Sequence, residues 1–440
     1  MNLERRSFIK GSALLAAMSA VGGVRAAGIV NHEQKYHDRW HATQLPVPQK
    51  LLDSEPVLQC PAPDSMGVAF AVSDFALGYA EVADNEKMEN AVQYACEGVP
   101  LAMLDDRVMR IRMTGLKPGT KYWYRVGAST LAFPVGYWKK PSPPEWSKVY
   151  SFTTCGEKAS SHFSVITDTH TNWKTFALLA QKLRAIGAPV TLWLGDASSH
   201  TETREELIKV FLKTETGGDY ATTQPVFFIN GNHDFRGRAC LHSTEVMMGR
   251  LPSERSGRDW PLVRNFAVRQ GEIALIGLDT GEDKPDFHPS AGGATRFEPY
   301  RTMQTAWLAD QFKRPEIAHA PYIVAFMHIP IFDSRPDANP GNTLENYAAW
   351  QKQGHDEWGP LLKQYGAQLV VAGHCHCYRY DEPTAERPWA QIVGGGPHMV
   401  ADKFPTVIEG EVEDGELKVR VHNMFTGKVE ATHVFKPRKP

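Results

Sequence analysis

Val226-Phe227-Phe228-Ile229-Asn230-Gly231-Asn232-His233-Asp234 decides the fold. Its first five residues are mostly apolar and β-prone. Gly231 breaks the run, and an amide, an imidazole and a carboxylate follow at once. Such a run reads as a buried strand that delivers polar groups at its C-terminal end, the end at which α/β sheets place their sites. The same design recurs four times. Asp168-Thr169-His170 follows Phe163–Ile166, Gly195-Asp196 follows Val190–Leu194, His328 follows Tyr322–Met327, and His374-Cys375-His376 follows Gln368–Ala372.

Working outward, the strands alternate with helical stretches. Trp173–Ile186 carries apolar residues at Phe176, Leu179, Leu183 and Ile186; Arg204–Lys213, Arg301–Lys313 and Glu357–Tyr365 are the other expected helices. Phe266–Arg269 and Ile273–Leu278 read as a hairpin across Gln270-Gly271. Strands separated by helices imply an α/β core with the helices outside. Residues 406–440 alternate again around a turn at Asp414-Gly415 and are expected to add edge strands to the second sheet of that core. The chain of 440 residues is long enough for two or three domains. With 42% hydrophobic and 22% charged residues it is globular, and its formal net charge of −2 gives no footprint for nucleic acid.

Collected at one sheet edge, the five polar clusters supply carboxylate oxygens, an amide oxygen and imidazole nitrogens. That mixture suits Mn, Fe, Zn or Co better than Mg or Ca. The set exceeds the needs of one ion, and a two-metal centre with a bridging carboxylate accounts for it. Taken singly, a strand-end Asp is a turn or cap residue and a lone His is structural; the ordered set carries the reading.

In that order, DTH, GD, GNHD, a lone strand-end His and GHCH resemble the signature of the calcineurin-like metallophosphoesterases, over roughly Phe163 to Gly396. The resemblance implies a β-sandwich core flanked by helices. It places Asp168, His170 and His376 on one metal and Asn232, His328 and His374 on the other, with Asp196 bridging. It leaves His233 unligated as general acid, with Asp234 orienting its imidazole. The implied cofactors are two divalent or mixed-valence transition metals, and the implied partner is a small-molecule phosphate ester. The ester is hydrolysed by in-line attack of metal-activated water. A phosphomonoesterase is the first expectation. A phosphodiesterase or nucleotide pyrophosphatase on the same centre is the alternative, and a phosphate- or glycan-binding protein acting through a β domain is the reading from another class. His200, Arg236, Arg238, His355 and His398 lie near the ligand loops in sequence and are candidate substrate contacts.

Ahead of this core, residues 56–155 form short β runs: Gly67–Val72, Arg107–Met113, Lys121–Val126 and Lys148–Thr153. Turn signals between them indicate a small sandwich. LKPGTKYWYRVG, with YSFTT after it, resembles the fibronectin type III-like front domain of purple acid phosphatases. The catalytic domain is expected over 160–440. In purple acid phosphatases a tyrosine stands three residues after the second-block Asp, and the first block lacks its His. Here Ser199 and His170 occupy those places, so the resemblance implies no tyrosinate–iron colour. The second block continues as Ala197-Ser198-Ser199, unlike the Ser/Thr protein phosphatases.

Residues 1–26 resemble a twin-arginine export signal: Glu4-Arg5-Arg6-Ser7-Phe8-Ile9-Lys10, a small apolar run from Gly11 to Gly23, and a cleavage pattern ending at Ala26. The run is too short for a permanent membrane span. The expected route is the twin-arginine machinery and the expected place is the periplasm or beyond. Residues 27–55 read as an extended lead-in. The six cysteines make no disulfide framework, although a Cys60–Cys96 bridge stays open. Cys375 and Cys377 interleave with the two histidines, and in an extended segment they point the opposite way.

Overall fold

The structure, a computed structural model, describes residues 38–39, 41–42, 50–96, 102–135, 138–249, 262–332 and 347–438. The expected leader and most of the lead-in lie outside the described residues. No described helix is long and apolar enough to cross a membrane.

Val226–Ile229 is a strand with every residue buried. Its two-residue period sends Phe227 and Ile229 into one core and Val226 and Phe228 into another. A strand packed on both faces needs apolar residues throughout, which is why the run reads as continuous rather than alternating. His162–Ile166, Thr191–Leu194 and Val226–Ile229 lie parallel in one sheet. A second sheet runs Phe266–Gln270, Ile273–Gly277, Tyr322–Phe326, Leu369–Ala372, Ala390–Val393, Arg379–Asp381, with its four middle strands parallel.

The sheets pack face to face. Phe163, Leu192 and Phe227 share a core with Val268, Leu275, Val324 and Leu369, and the Phe227 and Phe266 rings stack at 4.0 Å. Helix Trp173–Ile186 covers the outer face of the first sheet with Phe176, Leu179 and Leu183. Asn172 caps its start and Gly187 ends it in the left-handed conformation. Helix Arg204–Phe211 opens with a capping box from Thr203 and Glu206. Helices Phe297–Gln311 and Tyr347–Gln364 cover the second sheet through Trp307, Leu308, Trp358 and Leu362. This is the α/β class the sequence implies: a sandwich of sheets flanked by helices.

Two helix starts and one sheet assignment differ from expectation. Helix Phe297–Gln311 starts before Arg301, and Tyr347–Gln364 starts well before Glu357. Starting the latter at Glu357 sets Pro360 in the first turn, where proline is tolerated; the helix instead carries Pro360 inside it. The C-terminal strands Thr406–Glu413, Glu416–Asn423 and Lys428–Phe435 join the first sheet, not the second. They pair antiparallel from the edge of His162–Ile166 outward, while Arg379–Asp381 closes the edge of the second sheet.

At the other edge of the first sheet come Val57–Gln59, Ser65–Ala71 and Val108–Thr114. Gln59 pairs with Val226 in parallel. Opposite these strands lie Tyr150–Thr153, Lys121–Val135, Ala76–Ala83 and Val92–Ala95, with Leu58, Phe70, Ile111, Tyr124 and Phe152 between the two layers. The front sandwich therefore shares a sheet with the core. The described residues within 50–130 and 143–438 form one compact unit; those within 131–142 fall in another, where the end of Lys121–Val135 pairs with Trp138–Pro141. Cys60 and Cys96 are not bridged: the Cys60 thiol donates to the Met248 carbonyl, and Cys96 Sγ lies 3.5 Å from Met109 Sδ.

Candidate metal centre

Three of the five strands run on into residues of left-handed backbone conformation. Asp168, His170, Asp196, His374 and His376 all take positive φ, between +44° and +69°. For residues with a Cβ this costs about 1 kcal/mol each, and such strain persists where the surroundings over-determine it. Here the loops hold one another. Asp168 N donates to Gly195 O, His170 N to Asp196 O and Gly373 N to His328 O. His374 N donates to the Asp168 carboxylate at 2.9 Å. Gly195 and Gly231 cross so closely that a Cβ on Gly231 would stand 2.1 Å from Asp196 Oδ1.

The side chains gather into two groups that share Asp196. In one, His376 Nε2 is 3.2 Å from Asp168 Oδ1, and His170 Nε2 is 3.3 Å from Asp196 Oδ2 and 3.1 Å from His376 Nε2. In the other, His328 Nε2 is 3.4 Å from Asp196 Oδ1, and Asn232 Oδ1 lies 3.0 Å from both His328 Nε2 and His374 Nδ1. Asp168, Asp196, Asn232 and His328 are buried.

This donor set fits a cation. His328 Nδ1 lies 2.6 Å from the Leu194 carbonyl and so carries the ring proton. Nε2 faces the Asn232 and Asp196 oxygens, a place that calls for positive charge, whether a ring proton or a cation. The Nε2 atoms of His170 and His376 face each other at 3.1 Å, where one shared proton or a cation can sit. Such approaches need a positive centre between them, and a metal-binding imidazole characteristically spends its other nitrogen on a carbonyl or carboxylate. The electrostatics agree. Burial alone would raise the carboxyls; the His376 hydrogen bond holds Asp168 below its ordinary range, and the His328 charge holds Asp196 well below it. Burial would lower His328, but the Asp196 charge raises it to about 10. Burial, with the His328 charge, pushes His374 down to about 4, which keeps that imidazole neutral.

Residues 161–378 match the calcineurin-like phosphoesterase family, and residues 60–154 match the purple acid phosphatase N-terminal domain. The chain carries both domains. Probable purple acid phosphatase 20 of Arabidopsis thaliana is 26% identical over 268 residues, 60% of this chain and 53% of that one. Phosphoenolpyruvate phosphatase of Allium cepa is 23% identical over 68% of this chain and 56% of its own length. The chain thus spans about half the length of these curated relatives. The solved purple acid phosphatase PPD1 from yellow lupin (Lupinus luteus) seeds shares the fold at a TM-score of 0.61 and 14% identity, over 88% of this chain and 75% of that one.

Within the phosphoesterase domain, all seven expected ligand residues converge. His233 stands beside them, with its amide on Asp196 Oδ1 at 2.9 Å and its ring 4.9 Å from that of His170. One expectation is corrected. The Asp234 carboxylate is taken up by the amides of Gly231, Asp196 and Ala197, and the partner of His233 Nδ1 is the Ser199 carbonyl, at 2.8 Å. Asp234 braces the two crossing loops instead of the imidazole.

Among the candidate substrate contacts, Arg236 lies against His233, with Nη1 3.1 and 3.0 Å from its two ring nitrogens. Glu282 grips Arg236 twice, at 2.7 and 3.1 Å, and Asp283 adds a contact at 3.3 Å. The His398 ring lies 6.3 Å from that of His376. Arg238 is exposed and 3.8 Å from Glu202. His355 sits on the outer helix against Asp356, and His200 is exposed; among the described residues no contact joins either to the ligand groups.

Sequence reasoning missed Asp279, Glu282 and Asp283. The signal was there: Ile273–Gly277 is a sixth apolar strand, and Leu278-Asp279-Thr280-Gly281-Glu282-Asp283 follows it. Asp279 is buried, takes the Gly281 amide and the Tyr300 hydroxyl, and is pushed by burial up to about 6.

Proposed function

We propose that this chain is an exported phosphomonoesterase working with two divalent transition metals. The observation that carries the reading is Asp196, a buried carboxylate common to two groups of ligand atoms. When bound, two such cations supply charge stabilisation to the phosphoryl oxygens and lower the pKa of water. Asp168, His170 and His376 would hold one and Asn232, His328 and His374 the other, with Asp196 placed to reach either. The Leu194 carbonyl fixes the tautomer of His328, and the Ser199 carbonyl fixes the ring of His233. His233 is the proton donor to the leaving oxygen, a role open to a positioned imidazole, and Arg236 keeps its ring in place. The phosphatase names of the relatives support a monoester substrate. Ser199, with its hydroxyl 3.2 Å from His170 Nδ1, stands where a purple enzyme has its tyrosine, so the loaded protein is expected to be colourless. The twin-arginine-like leader supports export to the periplasm.

The test is hydrolysis of nitrophenyl phosphate and the matching diester by Mn-loaded protein lacking residues 1–26, with a chelated control and Asp196→Asn beside it. Monoester turnover should dominate and vanish with chelator. In Asp196→Asn, kcat/KM should fall by more than the roughly 100-fold that loss of an outer hydrogen-bond partner costs. Diester preference refutes the monoesterase, and metal-free activity refutes the centre.

A further inference from the structure

Arg236 belongs to two places. Its guanidinium lies on the His233 ring, and it also lines a cavity of about 1030 Å³. Most of that cavity's wall is apolar: Phe235, Leu241, Val263, Phe297, Tyr300 and Met303 all line it. Leu241 is 85% exposed and Val263 42%. Large apolar side chains left open together in a concavity beside a reaction centre mark a ligand site more often than a bare surface.

The charges of the cavity argue about the ligand's sign. Arg236 is held by Glu282 and Asp283, Lys284 by Asp283 at 2.8 Å, and Arg238 faces Glu202. Arg296 donates to the carbonyls of Gly293 and Thr295. Asp279 and Glu282 add carboxylates of their own to the lining. Arg236 and Lys284 are already paired with carboxylates, so a second phosphate or carboxylate would have to displace Glu282 or Asp283 from them. An uncharged group can lie on the apolar part of the wall without that exchange.

Building on the phosphoesterase reading, we propose that this cavity receives the alcohol half of the substrate, and that this half is an uncharged apolar group, an aryl ring or an alkyl chain. The proton donor His233 and the cavity meet at Arg236, so the bond to be broken lies between the metal centre and the apolar wall.

The test is calorimetric titration of the metal-loaded protein with ethylphosphonate and hexylphosphonate, which differ in apolar length alone. Hexylphosphonate should bind roughly tenfold tighter or more, the scale on which apolar pockets discriminate chain length. Leu241→Asp and Met303→Asp, both at open positions, should each reduce that ratio several-fold. Equal affinities, or a ratio that survives both substitutions, overturn the inference. Nitrophenyl phosphate turnover on the same sample tests the activity separately. Turnover without length preference refutes the cavity assignment alone. Length preference without turnover refutes the activity and upholds the apolar site. Absence of both refutes both.

Discussion

His233 owes its place to backbone and charge rather than to its sequence neighbour. The Ser199 carbonyl takes Nδ1, and Arg236 lies across the ring under the grip of Glu282 and Asp283. Burial, reinforced by the charges of Arg236 and His170, lowers its pKa against the pull of Asp196, which makes the imidazolium a stronger acid while leaving less of it at neutral pH. His233→Ala should therefore cost about 10²- to 10⁴-fold in kcat/KM on an alkyl phosphate, whose leaving oxygen needs a proton. On nitrophenyl phosphate, whose leaving group departs as the anion, the loss should be far smaller. Bound metal, read by elemental analysis, should not change, because the proposed ligand set leaves His233 out. Equal losses on the two esters would reject the proton-donor role. At this scale the sequence was most legible where a side chain itself carries the candidate chemistry: all seven candidate ligands follow an apolar strand, and the structure brings them together. It was silent on the Ser199 carbonyl, a backbone group that every residue possesses.

The ligand loops reach one another because two of them cross at Gly195 and Gly231. A methyl group on Gly231 would meet Asp196 Oδ1 at 2.1 Å and its amide nitrogen at 2.4 Å. Neither atom is the loose end of a flexible chain, since the Asp196 amide is also bound to Asp234. Gly231→Ala should therefore push the shared carboxylate off its position. Its cost is that of overpacking, about 1–3 kcal/mol, read by denaturant unfolding, and metal occupancy should drop with far-UV circular dichroism preserved. Full occupancy in the variant would show that the crossing does not set the site. The elements themselves were readable to within a few residues where both faces are apolar, as in Val226–Ile229 and Tyr322–Phe326. The start of Tyr347–Gln364 was not: Lys352, His355 and Asp356 are exposed, and a solvent-facing turn carries no apolar period. The sheet joined by Thr406–Glu413 was equally hidden, because alternation fixes which face of a strand is buried and not which edge it seeks.

One sheet of nine strands runs from the front sandwich through the ligand-bearing strands to the C-terminal hairpins. The sequence showed a change of pattern between Cys155 and His162; it did not show that the sheet continues across it, since edge pairing is made by backbone. At its C-terminal side the sheet is tied by polar contacts as well. Glu409 accepts from His162 at 3.2 Å and from His422 at 2.7 Å, joining three neighbouring strands. Those hydrogen bonds, with His162 the larger influence, hold the Glu409 carboxyl well below its ordinary value of 4.5. A depressed folded pKa means that the ionised form is the one the native state favours. Its stabilisation is complete above the unfolded value and is lost as pH falls below that value towards the folded one. Glu409→Gln should accordingly melt below the wild type at about pH 7, with the gap in Tm narrowing as the solution is taken below about pH 4. The comparison is best made by calorimetry on metal-free protein, so that acid release of metal from the distant centre does not enter. A gap that stays constant from neutral to acid pH would assign the loss to packing and remove the charge on Glu409 from the account of what holds the C-terminal strands to His162–Ile166.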